Sequence, residues 1–134
     1  MGKIVALDTN LLVRILVNDE PDQARRAAKL VESNPVWVSK TVLLETEWVL
    51  RALYRIDRTT LHEALSRFLS LPTIRVEDAT AVLKALAAYA GGMDFADALH
   101  LTSSGPATRF ATFDRALLKK AARGESPFPR IVEP

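Results

Sequence analysis

The sequence predicts an α/β fold in which helices cover both faces of a central parallel sheet of four to five strands. Short β-rich runs alternate with longer segments of helical periodicity, a pattern typical of parallel sheets with crossover helices. The 134 residues are the usual length of one domain, so residues 1–134 are expected to form a single domain. The hydrophobic content of 49% argues against disorder.

Each predicted element rests on its local pattern. The predicted strands are Lys3–Leu7, Val36–Val38, Thr73–Val76, Arg109–Thr112 and Arg130–Val132. The predicted helices are Asn10–Val17, Pro21–Ser33, Thr41–Tyr54, Thr60 to about Leu71, Ala79–Ala90, Asp94–Ser103 and Asp114–Ala122. A capping-box pattern from Thr60 to Glu63 favours a helix start at Thr60. The pair Gly91-Gly92 favours a helix end after Ala90, and Gly124 favours another near Ala122.

Composition excludes several functional classes. The chain has no cysteine, which rules out disulfides, thiolate metal sites and a cysteine nucleophile. No apolar run approaches the ~20 residues of a membrane helix, and Asp8 interrupts the N-terminal apolar stretch, so no signal peptide is expected. A cytoplasmic location without membrane contact is the default expectation. Nucleotide-binding glycine motifs and the serine-hydrolase elbow are also missing.

The basic residues form three clusters, although the net charge of +2 is weak support for a nucleic-acid partner. The clusters are Arg25, Arg26 and Lys29; Arg51, Arg55 and Arg58; and Lys119, Lys120 and Arg123. Each cluster by itself is interpreted as a solvated helix face. Beside a shared acidic site, they would serve to hold a phosphate backbone.

Two carboxylates stand at or just past the carboxyl ends of predicted strands, where ligands bind in parallel sheets. Asp8 ends the run "KIVALD" and Asp114 follows "RFATF". Either aspartate is also explained as the N-cap of the helix that follows. For Asp114 alone the N-cap interpretation is preferred, but the topology would bring the two carboxylates together.

Two further aspartates, Asp94 and Asp97 in "GGMDFADALHL", share one helical face. Asp94 as N-cap and Asp97 at the third helical position would also be favoured by the helix dipole. His100 follows one turn later, as a supporting donor or an ordinary partly buried histidine. The arrangement places two like charges close together at one helix end.

The segment "KTVLLETEWVLRALY" carries two glutamates with different expected roles. Glu47 precedes Arg51 by one turn and is predicted to be an exposed ion-pair residue. Glu45 has no local partner on a face predicted to be buried, so it takes up a proton, finds a cation or reaches solvent at the rim. A pocket of carboxylates without cysteine suits Mg²⁺ or Mn²⁺ rather than zinc.

Four segments resemble, in order, the acidic motifs of PIN-domain proteins. They are "IVALDTNLLVRILVND", "VSKTVLLETEWVLRALY", "MDFADALHL" and "FATFDRALLKKA". The resemblance covers nearly the whole chain, is strongest to the ribonuclease toxins of VapBC-type toxin–antitoxin systems, and implies a three-layer, Rossmann-like α/β/α fold.

The resemblance implies a Mg²⁺- or Mn²⁺-dependent endoribonuclease. The four core positions carried over are Asp8, Glu45, Asp97 and Asp114, as catalytic residues and metal ligands, with Asp94 as a supporting metal ligand. The matching small polar residues near the site are Thr9, Asn10 and Thr112. Glu47 is the alternative to Glu45, and the Arg51 argument favours Glu45.

The resemblance also implies partners: a VapB-type antitoxin with a basic side chain for the acidic pocket, an RNA substrate and a second copy in a homodimer. The helices at Leu11–Val17 and Val42–Leu53 are candidate groove or dimer surfaces, although most of their residues are expected in the core. Two alternatives stay open. One is a PIN-fold module that binds RNA or protein without cleavage. The other is a receiver-like domain phosphorylated on Asp8 or Asp114.

Overall fold

The structure is a computed structural model that describes residues 3–121 and 129–134. Five strands occur in these ranges: β1 (Val5–Ala6), β2 (Val36–Val38), β3 (Ile74–Val76), β4 (Arg109–Ala111) and β5 (Arg130–Val132). The helices in the same ranges are α1 (Thr9–Val17), α2 (Pro21–Ser33), α3 (Lys40–Ala52), α4 (Arg58–Leu69), α5 (Ala79–Ala90), α6 (Phe95–Thr102) and α7 (Arg115–Ala121).

All strand pairs in the described ranges are parallel, which confirms the predicted α/β class. β1, β2 and β3 form one sheet in that order, and Val36 of the middle strand lies opposite Val5 on one side and Ile74 on the other. β4 pairs with β5 in a second sheet. The five strands therefore form one sheet of three strands and one sheet of two strands. β1 is much shorter than the predicted strand, because only Val5 and Ala6 lie in register with β2.

The helices bury their apolar faces around the central strand β2, whose Val36 and Val38 are fully enclosed. Leu12 of α1, Leu43 of α3 and Val82 of α5 are among the most buried side chains. Enclosing each such side chain contributes about 1.5–3 kcal/mol, so this core is the main source of stability. It also fixes where α1, α3 and α6 begin.

The predicted start of α4 at Thr60 is wrong. The helix begins at Arg58, with Asp57 as N-cap, because the Leu61 amide already donates to the Asp57 carbonyl at 2.9 Å. Thr60 therefore lies within the first turn and forms no capping box.

The end of α5 is as predicted. Gly91 is the C-cap, and Gly92 adopts a φ of +111°, a region that side chains with a Cβ rarely occupy. α7 is described as far as Ala121, so its predicted end at Ala122 and Gly124, and Arg123, lie outside the described residues. None of the helices in the described ranges has the length and apolar character needed to cross a bilayer.

Candidate active site

The junction of β1 and α1 holds the first two polar residues of the site. Asp8 is the N-cap of α1, and its Oδ1 accepts a hydrogen bond from the Thr9 amide at 2.8 Å. Thr9 is buried, and its hydroxyl donates to Oε1 of Glu45 on α3. This contact brings Glu45 beside the residue that follows Asp8.

A second group of carboxylates surrounds the start of α6. Asp94 is the N-cap, and its Oδ2 accepts from the Asp97 amide at 3.1 Å. Burial raises the pKa of Asp97, and the charges of Asp94 and Asp114 raise it further, against smaller opposing effects of His100 and Lys120. Asp114, which lies between β4 and α7, is therefore electrostatically coupled to Asp97 on α6, as is the N-cap residue Asp94.

The loop between β4 and α7 orients Asp114. The Asp114 amide donates to Oγ1 of Thr112 at 3.0 Å. Oδ1 of Asp114 in turn accepts from the amides of Ala116 and Leu117, at 2.9 and 3.2 Å. Thr112 thus helps to fix the backbone from which Asp114 projects.

One cavity connects the two groups. Its volume is about 390 Å³, and Glu45 and Asp94 both line it, with Trp48 and Arg51 on α3. Glu45 therefore contacts Thr9 and also shares a surface with Asp94.

The three capping aspartates keep a free oxygen each. In the described residues, Asp8 and Asp114 cap through Oδ1 and Asp94 through Oδ2, and no hydrogen bond is recorded at the other oxygen. The N-cap interpretation and the ligand interpretation are therefore compatible, because the cap holds one oxygen in place and leaves the other available.

The predicted environments of the two glutamates are reversed. Glu47, predicted to be exposed, is only 2% exposed; it accepts from Nε of Arg51 at 2.8 Å and from the Tyr89 hydroxyl at 3.0 Å. Glu45, predicted to face the interior, is exposed and has Thr9 as its partner. The reason lies outside α3, because Tyr89 of α5 covers the Glu47 face. Burial raises the pKa of Tyr89, and the Glu47 charge adds to the rise.

Asn10 lies in the first turn of α1, two residues after Asp8. It is exposed and lines a different cavity, between α1 and α2, together with Arg14 and Gln23. The structure therefore gives Asn10 no contact that supports its predicted role beside the site.

Two basic residues hold the turn that precedes Asp94. Arg58 donates to the carbonyls of Tyr89 and Met93, at 2.9 and 2.6 Å, and its Cζ lies 4.7 Å from the Tyr89 ring centroid. Lys120 donates to the Gly92 carbonyl at 2.9 Å. Both belong to basic clusters visible in the sequence, but their function as anchors depends on tertiary contacts. Phe113, beside Asp114, is 75% exposed and was also not singled out.

The donors fit a hard cation in their chemistry. They are carboxylate and hydroxyl oxygens, and the pKa of Asp97 is raised first by burial and then by the charges of Asp94 and Asp114, both of which a cation would offset. Within residues 3–121 and 129–134, however, no three acidic or histidine side chains are grouped closely enough to hold an ion by themselves. Binding through one or two carboxylates is still compatible with Mg²⁺, because this ion usually keeps several waters.

In a parallel α/β domain, carboxylates at the ends of strands and at helix starts are the arrangement typical of metal-assisted hydrolases. The PIN domain family matches residues 5–123, and the chain belongs to this family. PIN domains are generally of the nuclease type and usually use divalent metal ions. A comparison with curated protein sequences finds no match.

Proposed function

We propose that this chain is a Mg²⁺- or Mn²⁺-dependent endoribonuclease and the toxin of a VapBC-type toxin–antitoxin pair. The observation that carries the nuclease proposal is the contact of Glu45 with Thr9, next to Asp8. The coupling of Asp97 to Asp94 and Asp114 supports it. The toxin proposal is supported by the resemblance of the four acidic motifs.

In this mechanism, waters and one or two carboxylates would hold the ion, and the candidate carboxylates come from four parts of the chain. They are Asp8, Glu45, Asp97 and Asp114, with Asp94 in support. When bound, the ion lowers the pKa of water and neutralises charge at phosphorus. Thr9 orients Glu45, and Thr112 orients the Asp114 backbone. Asp8 and Asp114 follow strands and Asp97 lies in the first turn of α6, so their carboxylates would need little reorganisation to hold the ion.

The test is cleavage of single-stranded RNA by purified protein with Mg²⁺ or Mn²⁺, with EDTA as the inhibitor. Asp8→Asn should abolish cleavage. Asp57→Asn is the matched control, since Asp57 is also a helix N-cap but its side chain makes no capping bond. RNA binding that persists in Asp8→Asn, together with no metal-dependent products from the parent, would instead identify a binding module without nuclease activity.

The toxin role and its partners need a separate test. Expression of this chain alone should arrest growth, and Asp8→Asn should not. Mapping the new RNA ends would identify the target RNA. The proposed antitoxin should restore growth, and an arginine or lysine of its tail should be needed for inhibition because the pocket is acidic. Growth that continues despite RNA cleavage in vitro would overturn the toxin role and leave the nuclease intact.

A further inference from the structure

The cavity on α3, lined by Thr41, Glu45, Trp48, Arg51 and Asp94 among others, is not explained by metal binding alone. Two of its wall residues are proposed metal ligands. The wall also carries the indole of Trp48 and the guanidinium of Arg51, which do not bind Mg²⁺. Its volume of about 390 Å³ lies in the range of small-ligand pockets.

Trp48 is the large apolar group of this cavity. Its side chain is 51% exposed, although tryptophan is usually highly buried. It follows Glu45 by three residues on α3, so both side chains occupy one face of the helix. An exposed indole one turn from a candidate catalytic carboxylate is a surface on which a flat, unstacked ring can pack.

Arg51 is a positively charged group of the same cavity, and its guanidinium is held in place by Glu47. Its Nε donates to Glu47 at 2.8 Å, and Glu47 is buried and also bound by the Tyr89 hydroxyl. Among the described residues, no hydrogen bond uses the terminal amino groups of Arg51, and its side chain is 44% exposed. One edge of the guanidinium is therefore fixed while the others remain free for an anion.

We propose that the cavity on α3 is a nucleotide subsite, in which Trp48 stacks on an unpaired base and Arg51 contacts the phosphate of that nucleotide. The proposal rests on the proposed nuclease function, because Glu45 and Asp94 place the neighbouring scissile phosphate at the cavity edge. A base held this way must leave its stack, so the preferred substrate is single-stranded RNA.

An RNA nucleotide fits this surface better than a protein segment does. Trp48 and Arg51 follow Glu45 by three and six residues on α3 and line one cavity with it, so one aromatic and one cationic group lie together beside the acidic site, as the base and phosphate of one nucleotide require.

Trp48 itself provides the readout. The chain has two tryptophans, so Trp37→Phe leaves Trp48 as the single indole. In this background, made inactive by Asp8→Asn, titration with a short single-stranded RNA and Mg²⁺ should quench the fluorescence saturably. Trp48→Leu should weaken RNA binding about tenfold, whereas Trp48→Phe should retain most of it. Leu83→Ala, on another exposed apolar residue, should change nothing.

Arg51 is tested by salt dependence, which a purely structural role would not change. Arg51→Gln should reduce the slope of log affinity against log salt by about 0.7, the value for one phosphate on a single strand. Arg51→Lys should retain the slope. Thermal unfolding of each variant shows whether the pairing with Glu47 is also needed for stability.

A substrate with one abasic nucleotide tests the stacking directly. In the parent protein, an abasic site beside the cleaved bond should slow cleavage about tenfold. In Trp48→Leu the same change should have no further effect, because the two losses remove one interaction. Independent, additive losses would overturn the subsite.

The failure of each proposal is distinguishable. If no RNA is cleaved but Trp48 fluorescence still reports single-stranded RNA, the nuclease proposal fails and the subsite holds. If RNA is cleaved and Trp48→Leu binds it as tightly as the parent, the subsite fails and the nuclease holds. A change in oligomer mass on Trp48→Leu without any change in RNA affinity would identify this face as a protein contact and overturn the subsite.

Discussion

The hydroxyl of Thr9 donates a hydrogen bond to Oε1 of Glu45, which lies 36 residues further along the chain. This bond joins the start of α1 to the middle of α3. Among the described contacts, it is the side-chain hydrogen bond that connects the junction of β1 and α1, where Asp8 lies, to another candidate metal ligand.

The first prediction follows from this link. Thr9→Val preserves shape but leaves Glu45 without its donor, so RNA cleavage should fall about tenfold, as for the loss of one hydrogen bond to a charged group. Thr9→Ser keeps the hydroxyl and should retain most of the activity. Cleavage rates under single-turnover conditions provide the measurement. Equal rates for Thr9→Val and the parent would show that Glu45 needs no orientation.

The second prediction concerns Asp97, whose pKa is raised in the folded protein. The folded state then holds this proton more tightly than the unfolded state does, so the contribution of Asp97 to stability is fully present below its ordinary pKa and is lost as pH rises through the raised pKa. At neutral pH without divalent ions, Asp97→Asn should therefore unfold at a higher temperature than the parent. The variant should gain less stability from added Mg²⁺, as measured by thermal melts with and without the ion.

A melting temperature of Asp97→Asn below that of the parent would contradict this explanation. It would mean that the favourable position of the charge at the start of α6 outweighs its burial and repulsion. Asp57→Asn again serves as the control for replacing a carboxylate near a helix start.

The third prediction concerns the two glutamates of α3. Glu45→Gln should abolish cleavage and change stability by less than about 0.5 kcal/mol, because the side chain is exposed. Glu47→Ala should cost about 3 kcal/mol, because Tyr89 and Arg51 both lose their acceptor in a buried site. Urea denaturation of both variants measures the difference. The opposite pattern would reassign the metal-binding glutamate to position 47.

The fourth prediction concerns Arg58, which holds the two carbonyls that flank the turn before Asp94. Arg58→Met should lower the free energy of unfolding by about 2 kcal/mol, since it removes charged donors from two carbonyls. It should also reduce cleavage by displacing Asp94. Arg67→Met, an exposed substitution on the same helix, should have little effect on either quantity. An Arg58→Met variant that is as stable as the parent but cleaves RNA more slowly would show that Arg58 positions Asp94 without contributing to stability.

The elements that the sequence predicted best have strong local signals. α2 begins with Pro21 at its first position, and α5 ends before Gly91-Gly92, so both agree with the predicted bounds. The positions of Asp8, Asp94 and Asp114 at helix starts also agree with those predicted, whereas their role as ligands stays a prediction. Local chemistry was sufficient in these cases.

The remaining features depend on contacts between distant segments. The periodicity of α3 does not say which glutamate faces the interior, because both flank the buried stripe and Tyr89 of α5 decides between them. Arg58, the first residue of α4, has its partners in the last turn of α5, at Tyr89, and in the turn that follows, at Met93. No local pattern contains this information.

Asp8, Asp94 and Asp114 cap helices in addition to their proposed role as ligands, which affects how related chains should be interpreted. A descendant that had lost its enzymatic activity would still need these aspartates to begin its helices, so their retention is a poor sign of a working enzyme. Glu45 and Asp97 cap no helix with their side chains among the described contacts. Those two positions are therefore the ones to inspect when active family members are to be told apart from inactive ones.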